Sequence, residues 1–279
     1  MGGEIIKQSF YHQVENTLLS EFSTYIYNGN SWDFNSHHFH INFELLLVIN
    51  GVCHYTVGDD TYDLQIGDAI FVLPFQVHHF ELEEGTTVRC LTFSEALIKT
   101  LAKQFEKKKL NCPVFRPSDA TAQYFLSGIQ DLFGNCSDQN IQVPNAKRMR
   151  LKGLLYGMGG ELIEQIQPVD IGSADMVVMA VVDYITDNFK SNISLRDVAD
   201  AKGYNYQYLS RIFNHTFGIN FKTMLNLYRT NHALGLLRDS HLSITEIAFE
   251  SGFQSVRSLD NAFRDRFGKS PKEFRKKQI

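Results

Sequence analysis

His38, His40 and Glu44 are the residues of this sequence whose types and spacing best suit binding chemistry. In an extended strand side chains alternate, so these three fall on one face, with Phe39, Ile41 and Phe43 on the other. Imidazoles and a carboxylate on one face suit either of two tasks, ligating a divalent metal or hydrogen-bonding a small polar molecule. Trp32 and Tyr55 would add aromatic surface for the second. A different set of polar side chains lies far along the chain: Tyr206, Gln207, Ser210, Arg211 and Asn214, then Arg257, Ser258, Asn261 and Arg264. Arg pairs bidentately with guanine, and Gln or Asn with adenine, in the DNA major groove. The sequence offers no catalytic set: it contains no nucleophile–base motif and no phosphate loop. Its cysteines, Cys53, Cys90, Cys112 and Cys136, have no CxxC pairing and read as free thiols.

The elements that must position these groups differ between the two ends. Residues 43–49, 52–57, 69–73 and 87–93 read as short strands. Turn signals separate them at Asn50-Gly51, Gly58-Asp59-Asp60, Gly67-Asp68 and Glu84-Gly85. Short strands at even spacing imply a small barrel or jelly roll. Helical periodicity follows, with Leu97, Leu101 and Phe105 at i, i+4 and i+8, and a second run over 145–166, whose helices are expected to make an inter-subunit contact. Pro168, Gly172 and Ser173 mark a linker over 167–175, between a first domain at 1–166 and a second at 176–279. From residue 176 onward fifteen Lys and Arg face ten Asp and Glu, whereas the preceding residues carry twelve against twenty-one. A basic module therefore follows an acidic one, and phosphate contacts belong to the basic one. The first ten residues lack the apolar core of a signal peptide and no stretch is long enough to span a bilayer, so a cytoplasmic protein without membrane partners is expected.

The basic module repeats itself. Ser194-Leu195-Arg196-Asp197-Val198-Ala199, Gly203-Tyr204, Leu209, Phe213 and Phe217-Gly218 recur as Ser243-Ile244-Thr245-Glu246-Ile247-Ala248, Gly252-Phe253, Leu259, Phe263 and Phe267-Gly268. In each copy a Ser followed three residues later by an acid can cap a helix, an apolar face with a small Ala follows, and a Gly ends the helix in the left-handed region. Second helices are expected over 206–217 and 256–267, each burying its apolar positions and exposing the polar set named above. A helix over 220–239, about 30 Å long at 1.5 Å per residue, would hold the two reading helices about one turn of DNA apart.

The segment 192–276 resembles the DNA-binding domain of the AraC/XylS family of bacterial regulators. The match runs through Gly203-Tyr204, the residues from Tyr208 to Phe213, Gly218, Ile247-Ala248, Gly252-Phe253, Phe263, Phe267-Gly268, Ser270-Pro271 and Phe274-Arg275. The resemblance implies that Gln207, Ser210, Arg211, Arg257 and Asn261 face bases. Asn261 stands where many relatives carry Arg, and Asp260 adds a charge that repels phosphate. The strand segment resembles a cupin barrel: His38, His40, Glu44 and Gly51 fit the spacing H-x-H-x3-E-x6-G, and His79 follows Pro74 where the second cupin motif supplies a His. That motif departs at Gln76, where metal-binding cupins have Gly, and at Glu83, where Asn is usual.

The fold class implied is α+β and multidomain: an N-terminal cupin-like β-barrel with accessory helices, then an all-α domain of two helix-turn-helix units. The function implied is a sequence-specific transcription regulator. Its expected partners are promoter or operator DNA, a small sugar-like effector in the barrel, RNA polymerase and a second copy of itself. It would need no cofactor. The effector pocket would be lined by Trp32, His38, His40, Glu44, Tyr55 and His79. Two alternatives are a metal-dependent cupin enzyme fused to a DNA-binding domain, with His38, His40, Glu44 and His79 as ligands, and a constitutive DNA binder.

Overall fold

A computed structural model describes residues 22–29, 38–40, 42–135, 144–239 and 241–276. The chain divides between Ile171 and Gly172 into two compact units. The first contains β1 (Phe22–Asn28), β2 (Phe43–Asn50), β3 (Cys53–Val57), β4 (Asp60–Leu64), β5 (Ala69–Val72), β6 (His78–Leu82) and β7 (Thr87–Phe93). It continues with a short helix α1 (Lys99–Ala102), β8 (Lys108–Leu110), β9 (Val114–Phe115), α2 (Asp119–Phe133), α3 (Asn145–Gln165) and β10 (Pro168–Asp170).

Antiparallel pairing arranges a five-stranded sheet in the order β1-β7-β2-β5-β9 and a three-stranded sheet in the order β4-β3-β6. Leu46, Val48, Ile70, Val72 and Val88 of the first share a core with Cys53, Tyr55, Val57, Leu64 and Phe80 of the second. The other face of the larger sheet, with Phe43, Leu45, Leu47, Phe71 and Phe93, packs among Leu101, Phe125, Ile129, Leu154 and Met158 of the helices. Strand β2 is thus covered on both faces, which is why its sequence is apolar almost throughout rather than alternating. Glu44 breaks that run and shares the parity of Leu46 and Val48, so its carboxylate enters the core between the sheets.

Several elements differ from the periodicity reading. The Leu97, Leu101, Phe105 pattern does not make one helix: α1 is flanked by 3-10 turns at Glu95–Leu97 and Lys103–Phe105. Residues 168–170 of the expected linker pair with β8, and the next helix starts at Ser173. Strands β1, β4 and β6 and helix α2 join the expected elements.

The second unit is helical: α4 (Ser173–Asn188), α5 (Leu195–Lys202), α6 (Tyr206–Phe217), α7 (Phe221–Asp239), α8 (Ile244–Glu250), α9 (Val256–Phe267) and α10 (Pro271–Lys276). Helices α6 and α9 occupy the residues expected from the repeat. Helix α4 buries Val177, Val181, Val182 and Ile185. The second half of the unit closes over Ala233, Leu237, Ile247, Ala248, Leu259 and Phe263. Among the described residues no helix is long and apolar enough to cross a membrane.

Candidate functional site

Each half of the helical unit builds a reading helix by the same local steps. Ser194 Oγ accepts from Asp197 N while the Ser194 amide donates to Asp197 Oδ2 at 2.7 Å, a reciprocal cap that starts α5. The Ser194 hydroxyl and amide hold the Asp197 carboxyl below its ordinary range. Gly203, at φ +72°, ends α5 in the left-handed region, and Asn205 caps α6. Leu209, Phe213 and Phe217 bury one face of α6; Gln207, Arg211 and Asn214 are exposed on the other, with Tyr206 and the half-buried Ser210 beside them. The Arg211 guanidinium lies 5.8 Å from the Tyr208 ring centre, that of Arg196 4.7 Å from Tyr206, and Asn214 Nδ2 donates to Ser210 Oγ at 3.3 Å.

In the second half Ser243 and Glu246 repeat the reciprocal cap, and Ser255 caps α9. Leu259 and Phe263 are buried, while Arg257 and Asn261 are exposed. Two of the residues expected to contact DNA, Ser258 and Arg264, have other engagements. The Ser258 hydroxyl donates to Ser255 O and accepts the Ser255 amide, so it serves the cap. Arg264 Nε donates to Asp260 Oδ2 at 2.9 Å and its Nη2 lies 3.6 Å from Glu273 Oε2.

The halves are braced by Arg229, which sequence reasoning missed, and by Gly252, which it had read only as a helix end. Arg229 of α7 is 7% exposed and donates to the carbonyls of Phe189 and Ser191, each at 2.8 Å, at the C-terminal end of α4. Gly252, at φ +82°, sits two residues beyond the last residue of α8, after the cap Ser251, whereas Gly203 directly follows α5, and a Cβ at Gly252 would lie 2.6 Å from Lys190 Cα. The turn of the second half is therefore seated on the segment that follows α4.

In the barrel unit the structure gathers His38, His40, Glu44 and Tyr55. His40 Nδ1 is 2.8 Å from Asn42 O and its Nε2 is 3.1 Å from Glu44 Oε2. The Tyr55 hydroxyl donates to Glu44 Oε1 at 2.6 Å. The expected His79 does not join them. Strand β6 alternates, with His78 and Phe80 inward, and His78 exchanges backbone hydrogen bonds with His38 at 2.8 and 2.9 Å. The residue completing the cluster is therefore His78. Its Nδ1 is 2.8 Å from Gln76 O and its Nε2 is 3.7 Å from Glu44 Oε2. One donor atom from each of His38, His40, Glu44 and His78 lies within 4.8 Å of the others, and none of the four residues is more than 5% exposed. Trp32 lies outside the described residues. Burial pushes the Glu44 carboxyl up, but His78 and His40 outweigh it and hold the group well below its ordinary range. Burial and the Glu44 charge raise the Tyr55 phenol, and push the Cys53 thiol up to about 12. Cys53 and Cys90 are buried free thiols, and Cys112 an exposed one; Cys136 lies outside the described residues.

Comparison with known proteins bears on both units. Residues 22–155 match the family described as the AraC-like ligand binding domain, and 198–277 one described as a helix-turn-helix domain. The chain is 26% identical over 243 residues to the Msm operon regulatory protein of Streptococcus mutans, covering 84% of each. It is 23% identical over 232 residues to an uncharacterised helix-turn-helix transcriptional regulator of Staphylococcus aureus, covering 82% of this chain but spanning only 30% of that longer protein. In fold it is similar to unsaturated-fatty-acid-bound ToxT from Vibrio cholerae, with a TM-score of 0.51 at 15% identity, over 91% of this chain and 94% of that one. Two family matches in chain order, on a β-rich unit and a doubled helix-turn-helix, establish that this chain belongs to the AraC family of transcriptional regulators.

Proposed function

We propose that the protein recognises promoter DNA by laying α6 and α9 into successive major-groove segments, under the control of a small polar effector bound in the barrel. The observation that carries this reading is the duplicated, capped helix-turn-helix, which exposes Gln207 and Arg211 on one reading helix and Arg257 and Asn261 on the other. Helix α7 has 19 residues and so is about 28 Å long, close to the spacing of adjacent major grooves on one face of DNA. Arg229 and Gly252 would keep that spacing rigid.

The effector is read as polar because the groups brought together inside the barrel are imidazoles, a carboxylate and a phenol, which suit hydroxyls, as in a sugar, or an ion better than an acyl chain. His38, His40, Glu44, His78 and Tyr55 form this site. The regulator works in the cytoplasm as a homodimer and acts on RNA polymerase. Exposed Tyr124 on α2 and Met149 and Ile163 on α3 support the dimer. The test is a selection of genomic fragments by the purified protein, followed by thermal-shift screening against sugars, related metabolites and ions. Enrichment of one sequence with two half-sites about a helical turn apart is expected, with one ligand class raising Tm. Fragments bound without sequence preference would sink the DNA reading, and a flat screen would leave a constitutive binder.

A further inference from the structure

Arg196 stands where the local rules for helices give no reason for a cation. It is the second residue of α5, and the positive end of the helix dipole favours Asp or Glu in that turn, as at Asp197. The Asp197 carboxylate is taken by the amide and hydroxyl of Ser194. Among the described residues no carboxylate pairs with Arg196, in contrast to Arg264 with Asp260. The exposed side chain lies instead over the ring of Tyr206, its guanidinium 4.7 Å from the ring centre and inside the roughly 6 Å reach of a cation–ring attraction. Tyr206 is the first residue of α6, directly after the cap Asn205 and beside the exposed Gln207. The contact therefore ties the start of α5 to the start of the reading helix. The repeat isolates this pair: Arg196 corresponds to Thr245 and Tyr206 to Val256, so the second half has neither member.

We propose that Arg196, held on the Tyr206 ring, binds a DNA backbone phosphate at the edge of the groove that α6 enters. In a helix-turn-helix the second helix sets its N-terminal residues against bases while the first crosses the backbone. A cation fixed between the two helix starts lies where the phosphates bordering that groove run. A guanidinium suits phosphate oxygens, and the ring holds this long side chain in place before DNA arrives, so less order has to be imposed on binding. Phosphate contacts set register without reading sequence. Arg196 thus has a different task from Gln207 and Arg211, and the first half carries a backbone contact that the second lacks. The inference rests on the reading of α6 as the helix that enters the groove, and adds to it a residue outside the base-facing set.

The experiment follows binding of the full chain by fluorescence anisotropy across a salt series, to the fragment enriched by genomic selection and to an unrelated duplex of the same length. Arg196→Ala is expected to weaken both complexes by a similar factor and to make the log–log salt slope shallower by about one. Arg211→Ala weakens chiefly the enriched fragment. Tyr206→Phe keeps the ring and leaves the slope unchanged. Tyr206→Leu loses part of the slope, but nothing further when residue 196 is already Ala, the mark of a residue that acts by positioning Arg196. Far-UV circular dichroism checks that each variant is folded, and Arg196→Gln decides if the Ala variant is not. An unchanged slope in folded Arg196→Ala overturns the phosphate contact, as does a loss confined to the enriched fragment, which would make Arg196 a reader of bases. A further loss from Tyr206→Leu on top of Arg196→Ala overturns the positioning role of Tyr206. If no fragment is enriched, or Arg211→Ala binds the enriched fragment as the unmodified chain does, the groove reading of α6 fails, while the slope on the unrelated duplex still reports on Arg196.

Discussion

Arg211 and Arg264 carry the same guanidinium on corresponding helices, but only Arg264 has a carboxylate partner at i−4. In the repeat, Ser210 and Asn214 of α6 become Asp260 and Arg264 of α9, and the hydrogen bond between each pair persists. The substitution turns a neutral pair into an ion pair that spends the arginine's charge internally. Arg211→Ala should therefore weaken specific DNA binding by about 1–3 kcal/mol and relax selectivity at one base pair, while Arg264→Ala should do much less. Asp260→Asn should raise affinity and steepen its salt dependence, because it removes a repulsive charge and releases a cation for phosphate. Fluorescence anisotropy over a salt series checks all three; equal losses in the two Arg variants would contradict the pairing argument. At this scale His38, His40 and Glu44 were legible from the spacing of their residue types, although β2 begins only at Phe43 and His38 joins the sheet through a single bridge to His78. The fourth member was not, because motif spacing pointed to His79, while the register of β6 turns His78 and Phe80 inward. The apolar Phe80 two residues on was the available cue.

Among the elements, the helix starts of the DNA-binding unit depend on carboxylates. Asp197, Glu246 and Glu273 are each held below their ordinary range by the serine three residues earlier. A carboxyl depressed in the folded state contributes stability that is fully present above its unfolded value, near 3.8 for Asp and 4.5 for Glu, and is lost as pH falls through the lower folded value. Calorimetry of the full chain should find the transition of the helical unit insensitive to these groups near neutrality and falling below about pH 4.5. A variant with Ser194, Ser243 and Ser270 all changed to Ala should lose part of that fall; an unchanged slope would refute the capping role. Two glycines should separate under substitution. Gly203→Ala meets open space and pays only for its left-handed backbone, about 1 kcal/mol. Gly252→Ala adds a clash with Lys190 backbone and should cost clearly more, measured by chemical denaturation.

The repeat made α5, α6, α8 and α9 legible because the same caps, apolar positions and glycines occur twice. Strands β4 and β6 were hidden because their exposed positions are polar and each is an outer strand of the three-stranded sheet. The spacing of Leu97, Leu101 and Phe105 suggested one helix, yet those residues reach the core from three short turns. Periodicity records which side chains go inward, not how the backbone carries them there.

For the whole molecule the uneven charge is the feature that composition alone hides. A net charge of −4 would disfavour DNA, yet from residue 176 onward the chain carries an excess of five positive charges. The division between Ile171 and Gly172 separates the acidic β-rich unit from the basic helical one, in the order of the two family matches. That two-part plan was legible from charge and repeat. Arg229, the buried brace between the halves of the basic unit, was not, since an arginine within a helix usually reads as a solvated surface residue.

The central claim is that two helices read DNA together, and its most direct test is binding to the DNA upstream of the protein's own gene across a salt series. Unmodified protein, Arg211→Ala, Arg257→Ala and the double variant would be compared by anisotropy. The account predicts tight binding that falls steeply with salt, a loss of about 1–3 kcal/mol in each single variant and a roughly additive loss in the double. Binding that ignores sequence, or a specific complex in which Arg257→Ala is silent while Arg211→Ala abolishes recognition, would contradict it.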